Sequence, residues 1–326
     1  MYRALQLHQI NGKTAANIKL LSDDDLPEGN VIIQVNYSSL NYKDALAITG
    51  AGKIIRQFPM VPGIDFAGNV LSSQDSRYAV GAEVILTGWG VGETQAGGLA
   101  EKACVAADWL IPLPVQLTQR QAMIIGTAGL TAMLCVQALI DAHITPDKGE
   151  ILVTGASGGV GSTAIILLAI LGYTVVAASG RISENGAWLR QLGADRLIER
   201  SEFEQNSKPL EKACWAGAID TVGSKTLAKV LAQTQYGGAV ATCGLVGGMA
   251  LTTTVMPFIL RGVSLLGIDS VQCPYEKRLT TWQSLARLLP DSYYTQACQE
   301  ITLEKAPYIA QQIIAGKAVG RTLVKL

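Results

Sequence analysis

The sequence predicts an α/β protein in which a doubly wound parallel sheet is joined to a largely antiparallel, barrel-like β domain. Short apolar runs separated by turn residues fill the chain to about residue 112, which is typical of antiparallel strands. From about residue 117, strand and helix patterns alternate, which indicates a parallel sheet covered by helices. A chain of 326 residues is also long for a single core. We therefore expect domains at residues 1–118 and 119–265, followed by a C-terminal segment at 266–326.

The individual elements follow from the same patterns. In the β domain, strands are predicted at residues 4–7, 31–37, 66–71, 83–86 and 100–105. The second domain is predicted to begin with a helix over 119–140, interrupted at 126–129, and to continue with strands at 151–153, 173–178, 196–198, 218–221 and 238–243 and helices at 164–171, 187–192 and 225–232. The last segment ends in a strand at 321–324. Because that segment is too small to fold alone, we expect it to rejoin the first domain.

The stretch from Gly149 to Arg181 carries the clearest functional signal. It has the pattern of strand, glycine turn, helix and strand, with the sequence TGASGGVG at the turn. Glycines at such a turn let the backbone approach a pyrophosphate, and the amides and positive dipole end of the new helix stabilise its charge. A glycine turn in this context, within a unit of about 30 residues, predicts a dinucleotide site.

The end of the second strand indicates which dinucleotide is bound. An NAD site usually carries Asp or Glu there, to bind the ribose hydroxyls. This strand instead ends in Ser179, Gly180 and Arg181, which offer a hydroxyl and a guanidinium for a 2'-phosphate. We therefore predict NADPH as the cofactor; the alternative is that Arg181 is a solvated loop arginine.

Composition narrows the class of protein. Lys and Arg together number 26, as do Asp and Glu, and they are thinly spread, so neither a nucleic-acid surface nor a basic membrane-binding patch is predicted. The N-terminus lacks the apolar core of a signal peptide, and the longest apolar stretch, 164–178, is short for a membrane span. The six cysteines stand singly, which is typical of reduced thiols in the cytoplasm. We expect a soluble cytoplasmic enzyme.

Two motifs in the β domain do not look like plain scaffold. In SSLNYKDALA, hydroxyls that can cap a helix precede Asn41, Tyr42, Lys43 and Asp44. In FPMVPGIDFAG, Asp65 enters an apolar strand, where a carboxylate usually needs a partner. We interpret Asp65 as a structural carboxylate bonded to backbone amides rather than as a catalytic group.

These motifs, together with LTGWGVGE, GTAGLTAM, ASGR, AIDTVG, TTVMPFILRGV and GRTLVKL, resemble the medium-chain dehydrogenase/reductase superfamily over nearly the whole chain. Within it they resemble the zinc-free, quinone-oxidoreductase-like branch and, in particular, the bacterial NADPH-dependent acrylyl-CoA reductases. The resemblance implies a GroES-like catalytic domain, a Rossmann domain, a cofactor in the cleft between them, and commonly a homodimer.

The resemblance also shows where the zinc ligands of related enzymes would be expected in this sequence. Zinc alcohol dehydrogenases of this superfamily hold a catalytic metal with a Cys and a Gly-His-Glu, but here Pro62-Gly63-Ile64-Asp65 stands in that position. The two histidines of the chain are His8 and His143, so the three or four N and S ligands of a tetrahedral site cannot be assembled. No metal site is predicted.

Transferred to this sequence, the family's cofactor contacts fall on four stretches. They are Tyr42; the turn Ser157, Gly158, Gly159 and Val160; the 2'-phosphate grip of Ser179, Gly180 and Arg181, with Arg200 behind it; and Leu245, Ile259 and Ser270 at the nicotinamide end. Arg196 lies one turn from Arg200 and is an alternative to it.

The predicted reaction is hydride transfer from NADPH to the β-carbon of a short α,β-unsaturated acyl-CoA such as acrylyl-CoA. Without a metal, hydrogen-bond donors must stabilise the enolate on the thioester oxygen. The Tyr42 hydroxyl and backbone amides near the nicotinamide are the predicted donors. Asn41 and Asp44 orient the loop, and Tyr42 or water delivers the proton. The basic residues Lys43, Lys53 and Arg56 are candidates for the phosphates of coenzyme A, although dispersed cations are more often solvated surface.

Three alternative functions compete with this hypothesis. An NADPH quinone or enone reductase would use the same cofactor site with a flatter, less basic acceptor pocket. A short-chain dehydrogenase would also fit TGxxxGxG, but the chain contains no Tyr-x-x-x-Lys, and about 150 residues precede the glycines. A catalytically silent NADPH-binding protein, like the lens crystallins of this branch, would keep the glycine turn and Arg181 but show no turnover.

Overall fold

A computed structural model describes all 326 residues and divides them into two compact units. Unit 1 contains Met1–Thr127, Ser270–Arg287 and Tyr294–Leu326, and unit 2 contains Ala128–Asp269 and Leu288–Tyr293. The chain passes from unit 1 to unit 2 after residue 127 and first returns to unit 1 after residue 269. These points lie nine and four residues after the predicted boundaries at 118 and 265.

Fifteen strands and nine α-helices form the two units. The first part of the chain contains β1 (Tyr2–Ile10), β2 (Lys13–Leu21), β3 (Val31–Ser39), α1 (Tyr42–Thr49), β4 (Asp65–Ser73), β5 (Glu83–Thr87), β6 (Lys102–Val105), β7 (Leu110–Pro112) and α2 (Gln119–Asp141). The middle contains β8 (Ile151–Val153), α3 (Gly159–Ile170), β9 (Val175–Ser179), α4 (Ile182–Gln191), β10 (Arg196–Glu199), β11 (Trp215–Asp220), α5 (Ser224–Gln233), β12 (Thr234–Thr242), α6 (Met256–Arg261) and β13 (Ser264–Gly267). The last part contains α7 (Tyr275–Leu288), α8 (Asp291–Gln296), β14 (Cys298–Thr302), α9 (Ala306–Ile314) and β15 (Arg321–Lys325).

Unit 1 is built on a mainly antiparallel sheet with the strand order β14-β15-β3-β4-β5-β7, to which β6 adds by pairing with β3. The five predicted strands of this domain are present, and β1 pairs with β2 in a separate two-stranded sheet. The C-terminal strand β15 pairs antiparallel with β3, Leu323 opposite Ser39, so the end of the chain returns to unit 1 as expected. Helix α1 packs against α9, and Ile48 and Ala310 share one buried apolar cluster.

Unit 2 contains a six-stranded parallel sheet in the order β10-β9-β8-β11-β12-β13, which confirms the doubly wound prediction. The chain runs outward from β8 to β9 and β10 and then crosses to β11 on the other side of β8. The strand order therefore reverses between β8 and β11, and ligands of such sheets bind at the carboxyl ends of the strands at this position.

Helix α2 is interrupted at Gly126, whose backbone angles (φ 52°, ψ −159°) are not helical. The break lies at the first residue of the predicted interruption. By length and composition alone, Gln119–Asp141 could cross a membrane, but 83% of its most apolar window is buried inside the protein. It has the character of a core helix.

Candidate active site

The glycine turn of unit 2 has the predicted strand, turn and helix around it. β8 ends at Val153, Gly155 adopts a left-handed conformation (φ 58°), and α3 begins at Gly159. A Cβ atom on Gly161 would overlap the carbonyl oxygen of Gly155, so a glycine is needed for the helix to pack this closely on the turn.

The backbone amides at this turn are available to a ligand. Gly158 N–H donates to Gly155 O over 2.9 Å and closes the turn. The amides of Ser157, Gly159 and Val160 have no acceptor within the chain, as expected for the first turn of a helix. Three such donors beside a helix N-terminus fit the pyrophosphate of a dinucleotide.

A buried carboxylate, Asp220, ties the strand ends around the turn together. It accepts hydrogen bonds from Thr154 Oγ1 after β8 (2.7 Å), Gly223 N before α5 (2.8 Å) and Thr242 Oγ1 at the end of β12 (3.3 Å). Burial raises the pKa of Asp220. These bonds fix the carboxyl ends of three neighbouring strands, where the sequence predicted the ligand.

The end of β9 carries no carboxylate. Ser179 is buried, its Oγ accepts the amide of Arg181 (3.2 Å), and Arg181 itself is half-buried. Gly180 lies beside Arg200: a Cβ atom on Gly180 would be 3.1 Å from the Arg200 guanidinium carbon. The structure therefore brings Ser179, Gly180 and Arg200 together.

The alternative cation, Arg196, is occupied elsewhere. Its guanidinium forms two hydrogen bonds with Glu150, from Nη2 at 2.5 Å and from Nε at 3.1 Å, and lies over the ring of Trp215 at 5.5 Å. Arg200 instead forms an ion pair with an exposed glutamate, Glu204, at 2.9 Å. An exposed pair of this kind is easily exchanged for a phosphate contact.

The residues predicted for the nicotinamide end belong to different elements, two of them in unit 2 and one in unit 1. Leu245 is exposed in the loop after β12, and its Cα lies next to Gly223. Ile259 is exposed on α6. Ser270 belongs to unit 1, where its carbonyl accepts a hydrogen bond from the buried Arg278 (3.1 Å).

In unit 1, the motif SSLNYKDALA forms the end of β3 and the start of α1. Tyr42 is the first residue of the helix, is half-buried, and its hydroxyl has no hydrogen-bond partner within the chain. The carboxylate of Asp44 accepts the amide of Asn41 (2.8 Å) at the helix start and the amides of Gly63 (3.1 Å) and Ile64 (3.0 Å). One buried carboxylate thus ties the start of α1, where Tyr42 lies, to the loop that precedes β4.

The prediction that the serine hydroxyls cap α1 was wrong. Asn41 occupies the capping position, while Ser38 and Ser39 end β3 and contact Asp65. The Asp65 side chain is fully buried and accepts from Ser39 Oγ (2.6 Å), Asn41 Nδ2 (3.0 Å) and the amide of Thr127 (2.8 Å). Asp65 is therefore bonded to side chains as well as to amides.

Sequence reasoning missed Arg321, which completes this arrangement. Its guanidinium is buried and donates to Asn41 Oδ1 (3.0 Å) and Ser39 Oγ (2.7 Å). Arg321 is about 280 residues from both partners, so only the pairing of β15 with β3 brings them together. The available signal was the arginine at the start of the last predicted strand.

Asp44 should make the stability of the protein depend on pH. Burial, followed by repulsion from Asp65, raises the pKa of Asp44 from 3.8 to about 7. Between these values the folded state retains a proton that the unfolded state has released, so this group lowers the free energy of unfolding as pH rises from about 4 to 7, by up to about 4 kcal/mol, and has no further effect above that range. Urea denaturation at several pH values should show this slope in the wild type and its loss in Asp44→Asn.

A control of opposite sign is available in Asp147, an exposed carboxyl whose pKa is lowered by the Thr145 side chain. Asp147→Asn should remove a contribution that is present at high pH and lost in acid. If Asp44→Asn leaves the slope between pH 4 and 7 unchanged, the buried carboxyl does not titrate in this range.

The basic residues proposed for an acyl-CoA differ in their surroundings. Lys43 pairs with Glu93 at 3.0 Å, and its charge is therefore compensated. Lys53 and Arg56 are exposed in the segment after α1. No group of three or more His, Cys, Asp or Glu side chains is placed to hold a metal ion.

An antiparallel domain completed by the C-terminus and a parallel sheet with a glycine turn at its switch point define a two-domain dinucleotide-dependent oxidoreductase. The pattern of the alcohol dehydrogenase GroES-like domain matches residues 27–115, and that of the zinc-binding dehydrogenases matches residues 159–289. The chain belongs to the medium-chain dehydrogenase/reductase superfamily.

Particular members of the superfamily are very similar to it. A protein of Escherichia coli (strain K12) named "Probable acrylyl-CoA reductase AcuI" is 62% identical over 99% of both chains. The acrylyl-CoA reductase AcuI of Ruegeria pomeroyi is 51% identical over 96% of this chain and 95% of its own. The crystal structure of the yhdH oxidoreductase from Salmonella enterica in complex with NADP has 61% identity and a TM-score of 0.98 over 99% of both chains.

Proposed function

We propose that this protein is an NADPH-dependent reductase of short α,β-unsaturated acyl-CoA thioesters, with acrylyl-CoA converted to propionyl-CoA. The observation that carries the proposal is the 62% identity, over 99% of both chains, to a protein named as an acrylyl-CoA reductase. The NADP complex of the 61% identical Salmonella protein supports the cofactor.

The residues of unit 2 fit NADPH. The amides at Ser157, Gly159 and Val160 would hold the pyrophosphate, together with the close backbone approach that Gly158 permits. At the end of β9, Ser179 and Arg181, with Arg200 beside Gly180, would hold the 2'-phosphate. Leu245 and Ile259 from unit 2 and Ser270 from unit 1 are proposed for the nicotinamide end.

When bound, NADPH supplies the hydride that adds to the β-carbon of the substrate. The residues of the chain must then stabilise the negative charge that develops on the thioester oxygen. The Tyr42 hydroxyl is suited to this role because it is held at the start of α1 and makes no bond within the chain. The proton that completes the product at the α-carbon comes from this hydroxyl or from water.

Asn41 and Asp44 are proposed to orient Tyr42 rather than to react. Asp44 ties the amide directly before Tyr42 to the amide of Ile64 in the loop before β4. Asn41 is held in turn by Asp65 and Arg321. A donor that is fixed in advance stabilises the transition state more than a mobile donor does, because no reorganisation is then needed during the reaction.

Two features of the surface support further parts of the proposal. Lys53 and Arg56 are exposed and close in sequence to α1, so they are proposed to meet the phosphates of coenzyme A. Large apolar side chains are exposed shortly before β13, the edge strand of the unit 2 sheet, among them Val255 and Leu260 beside and on α6. These exposed side chains support a homodimer, and the enzyme is proposed to be soluble and cytoplasmic. A monomeric mass in light scattering would contradict the homodimer.

The substrate is tested by following NADPH oxidation with acrylyl-CoA, crotonyl-CoA and 1,4-benzoquinone in parallel, with NADH as the cofactor control. We expect the highest kcat/KM with acrylyl-CoA and NADPH. If the quinone gives the higher value, the acceptor is wrong and the quinone reductase alternative is supported. If none of the three is reduced although NADPH binds, the catalytically silent alternative is supported.

A further inference from the structure

Arg321 occupies an unusual position for a charged residue. It lies at the start of β15, its side chain is 2% exposed, and its guanidinium donates in three directions. Two of these bonds reach Ser39 and Asn41, and the third runs from Nε to Ile124 O in α2 at 2.8 Å. A buried guanidinium with this many ordered partners holds them in a fixed geometry.

Ser39 and Asn41 stand between Arg321 and Asp65. The hydroxyl of Ser39 accepts from Arg321 and donates to Asp65 Oδ1 at 2.6 Å. The amide of Asn41 accepts from Arg321 and donates to Asp65 Oδ2 at 3.0 Å. The two opposite charges are thus joined through both residues, and neither side chain can rotate without losing bonds to both charges.

The same pair of charges contacts both sides of the break in α2. Gly126 interrupts the regular ladder of the helix, and backbone groups beside such a break need other partners. Arg321 binds the carbonyl of Ile124, and Asp65 binds the amide of Thr127 at 2.8 Å. A Cβ atom on Gly126 would lie 2.5 Å from Arg321 Nη2, so the break itself is packed against the guanidinium.

The break also has a special place in the chain. Gly126 and Thr127 are the last residues of the first segment of unit 1, and the chain continues directly into unit 2. Asn41, another partner of Arg321, immediately precedes Tyr42. Arg321 therefore contacts, within unit 1, both the segment that carries the proposed hydrogen-bond donor and the residues that lead into the other unit.

We propose that Arg321 is a positioning residue that, through Ser39 and Asn41, fixes Tyr42 relative to the broken helix at the junction of the two units. The inference rests on the proposed function for the role of Tyr42, whereas the network itself does not depend on the substrate. Because a small misplacement of a reacting group can lower a rate about 10²-fold, loss of this network should lower kcat with little effect on cofactor binding.

The sharpest test compares two neighbouring serines. Ser38 and Ser39 are both fully buried, and both donate their hydroxyl to Asp65, Ser38 to the backbone carbonyl (2.7 Å) and Ser39 to the side chain. Only Ser39 is bonded to Arg321. We expect Ser39→Ala to lower kcat, expressed per NADPH-binding site, about 10-fold, and Ser38→Ala to leave it within about twofold of the wild type.

A second pair of variants addresses the cation itself. Arg321→Lys keeps the charge but cannot reach three acceptors, and should lower kcat per NADPH site about 10²-fold. Arg120→Lys is the control, because Arg120 lies on α2, makes an exposed pair with Glu300 at 2.8 Å, and has no hydrogen bond to any residue of the network. If Arg321→Lys fails to fold, the serine pair decides the outcome, since Ser39→Ala retains both charges.

A measurement without turnover separates this inference from the proposed substrate. Hydrogen exchange followed by mass spectrometry should show faster exchange of the amides at 39–49 and 122–127 in Ser39→Ala and Arg321→Lys, and not in Ser38→Ala or Arg120→Lys. Equal kcat per NADPH site in Ser39→Ala and Ser38→Ala, or exchange that rises uniformly over unit 1, would overturn the positioning role. Failure of the wild type to reduce acrylyl-CoA would overturn the substrate and leave the exchange result standing.

Discussion

Replacing Tyr42 by phenylalanine is expected to lower kcat for acrylyl-CoA about 10²- to 10³-fold, the loss found when one preorganised donor to a developing oxyanion is removed. The change deletes only the hydroxyl, which has no bond within the chain, so stability should be unaffected. The KM for NADPH should change by less than about tenfold, because all but one of the other proposed cofactor contacts lie in unit 2. Steady-state kinetics at saturating NADPH measures both values.

The matched control is Tyr308→Phe, since Tyr308 is 62% exposed on α9 and belongs to no proposed contact. It should leave kcat unchanged. If Tyr42→Phe retains full turnover, the thioester oxygen is stabilised by another group, and the backbone amides near the nicotinamide become the candidates.

Replacing Arg181 by glutamine is expected to raise the KM for NADPH about 10- to 100-fold while leaving that for NADH unchanged. Charge-assisted hydrogen bonds to a phosphate contribute about 1.5–3 kcal/mol, and NADH has no 2'-phosphate to lose them. The preference for NADPH over NADH should shrink by the same factor. Titration of each cofactor by fluorescence, without substrate, measures the effect directly.

The two neighbouring arginines provide graded controls. Arg200→Gln should weaken NADPH binding less than Arg181→Gln does, because Arg200 is exposed and shares its charge with Glu204. Arg196→Gln should have little effect on either cofactor, because Arg196 is bound to Glu150 and Trp215. A larger effect at Arg196 than at Arg200 would reverse this assignment of the 2'-phosphate contact.

Much of the fold followed from local patterns. The unit from β8 to β9 was predicted closely, because a three-residue apolar strand, a glycine turn and a long apolar run in the helix leave few alternatives. β2 was missed because most of its residues are exposed or half-buried and show no clean alternation. It exists because β1 pairs with it residue by residue, and a single sequence does not show such pairing.

In the candidate site, too, residues close together in sequence could be predicted, whereas residues brought together by tertiary pairing could not. Ser179, Gly180 and Arg181 are consecutive in sequence, and their chemistry could be inferred from the missing carboxylate alone. Arg321 could not be found in this way, since its partners lie about 280 residues away and are reached through tertiary pairing of β15 with β3. Asp65 accepts backbone amides as predicted, but its hydroxyl and amide side-chain partners, Ser39 and Asn41, depend on the pairing of β3 with β4.

The discontinuity of unit 1 has a consequence for biosynthesis. Residues up to 127 emerge from the ribosome long before β15, and at about 5–20 residues per second the remaining roughly 200 residues take on the order of 10 to 40 s to translate. During that interval β3 lacks its C-terminal neighbour, whereas nearly all of unit 2 is one contiguous segment, Ala128–Asp269, that is translated before β15. A product truncated before Arg321 would therefore still contain all six strands of the parallel sheet, whereas β3 would lack its C-terminal partner.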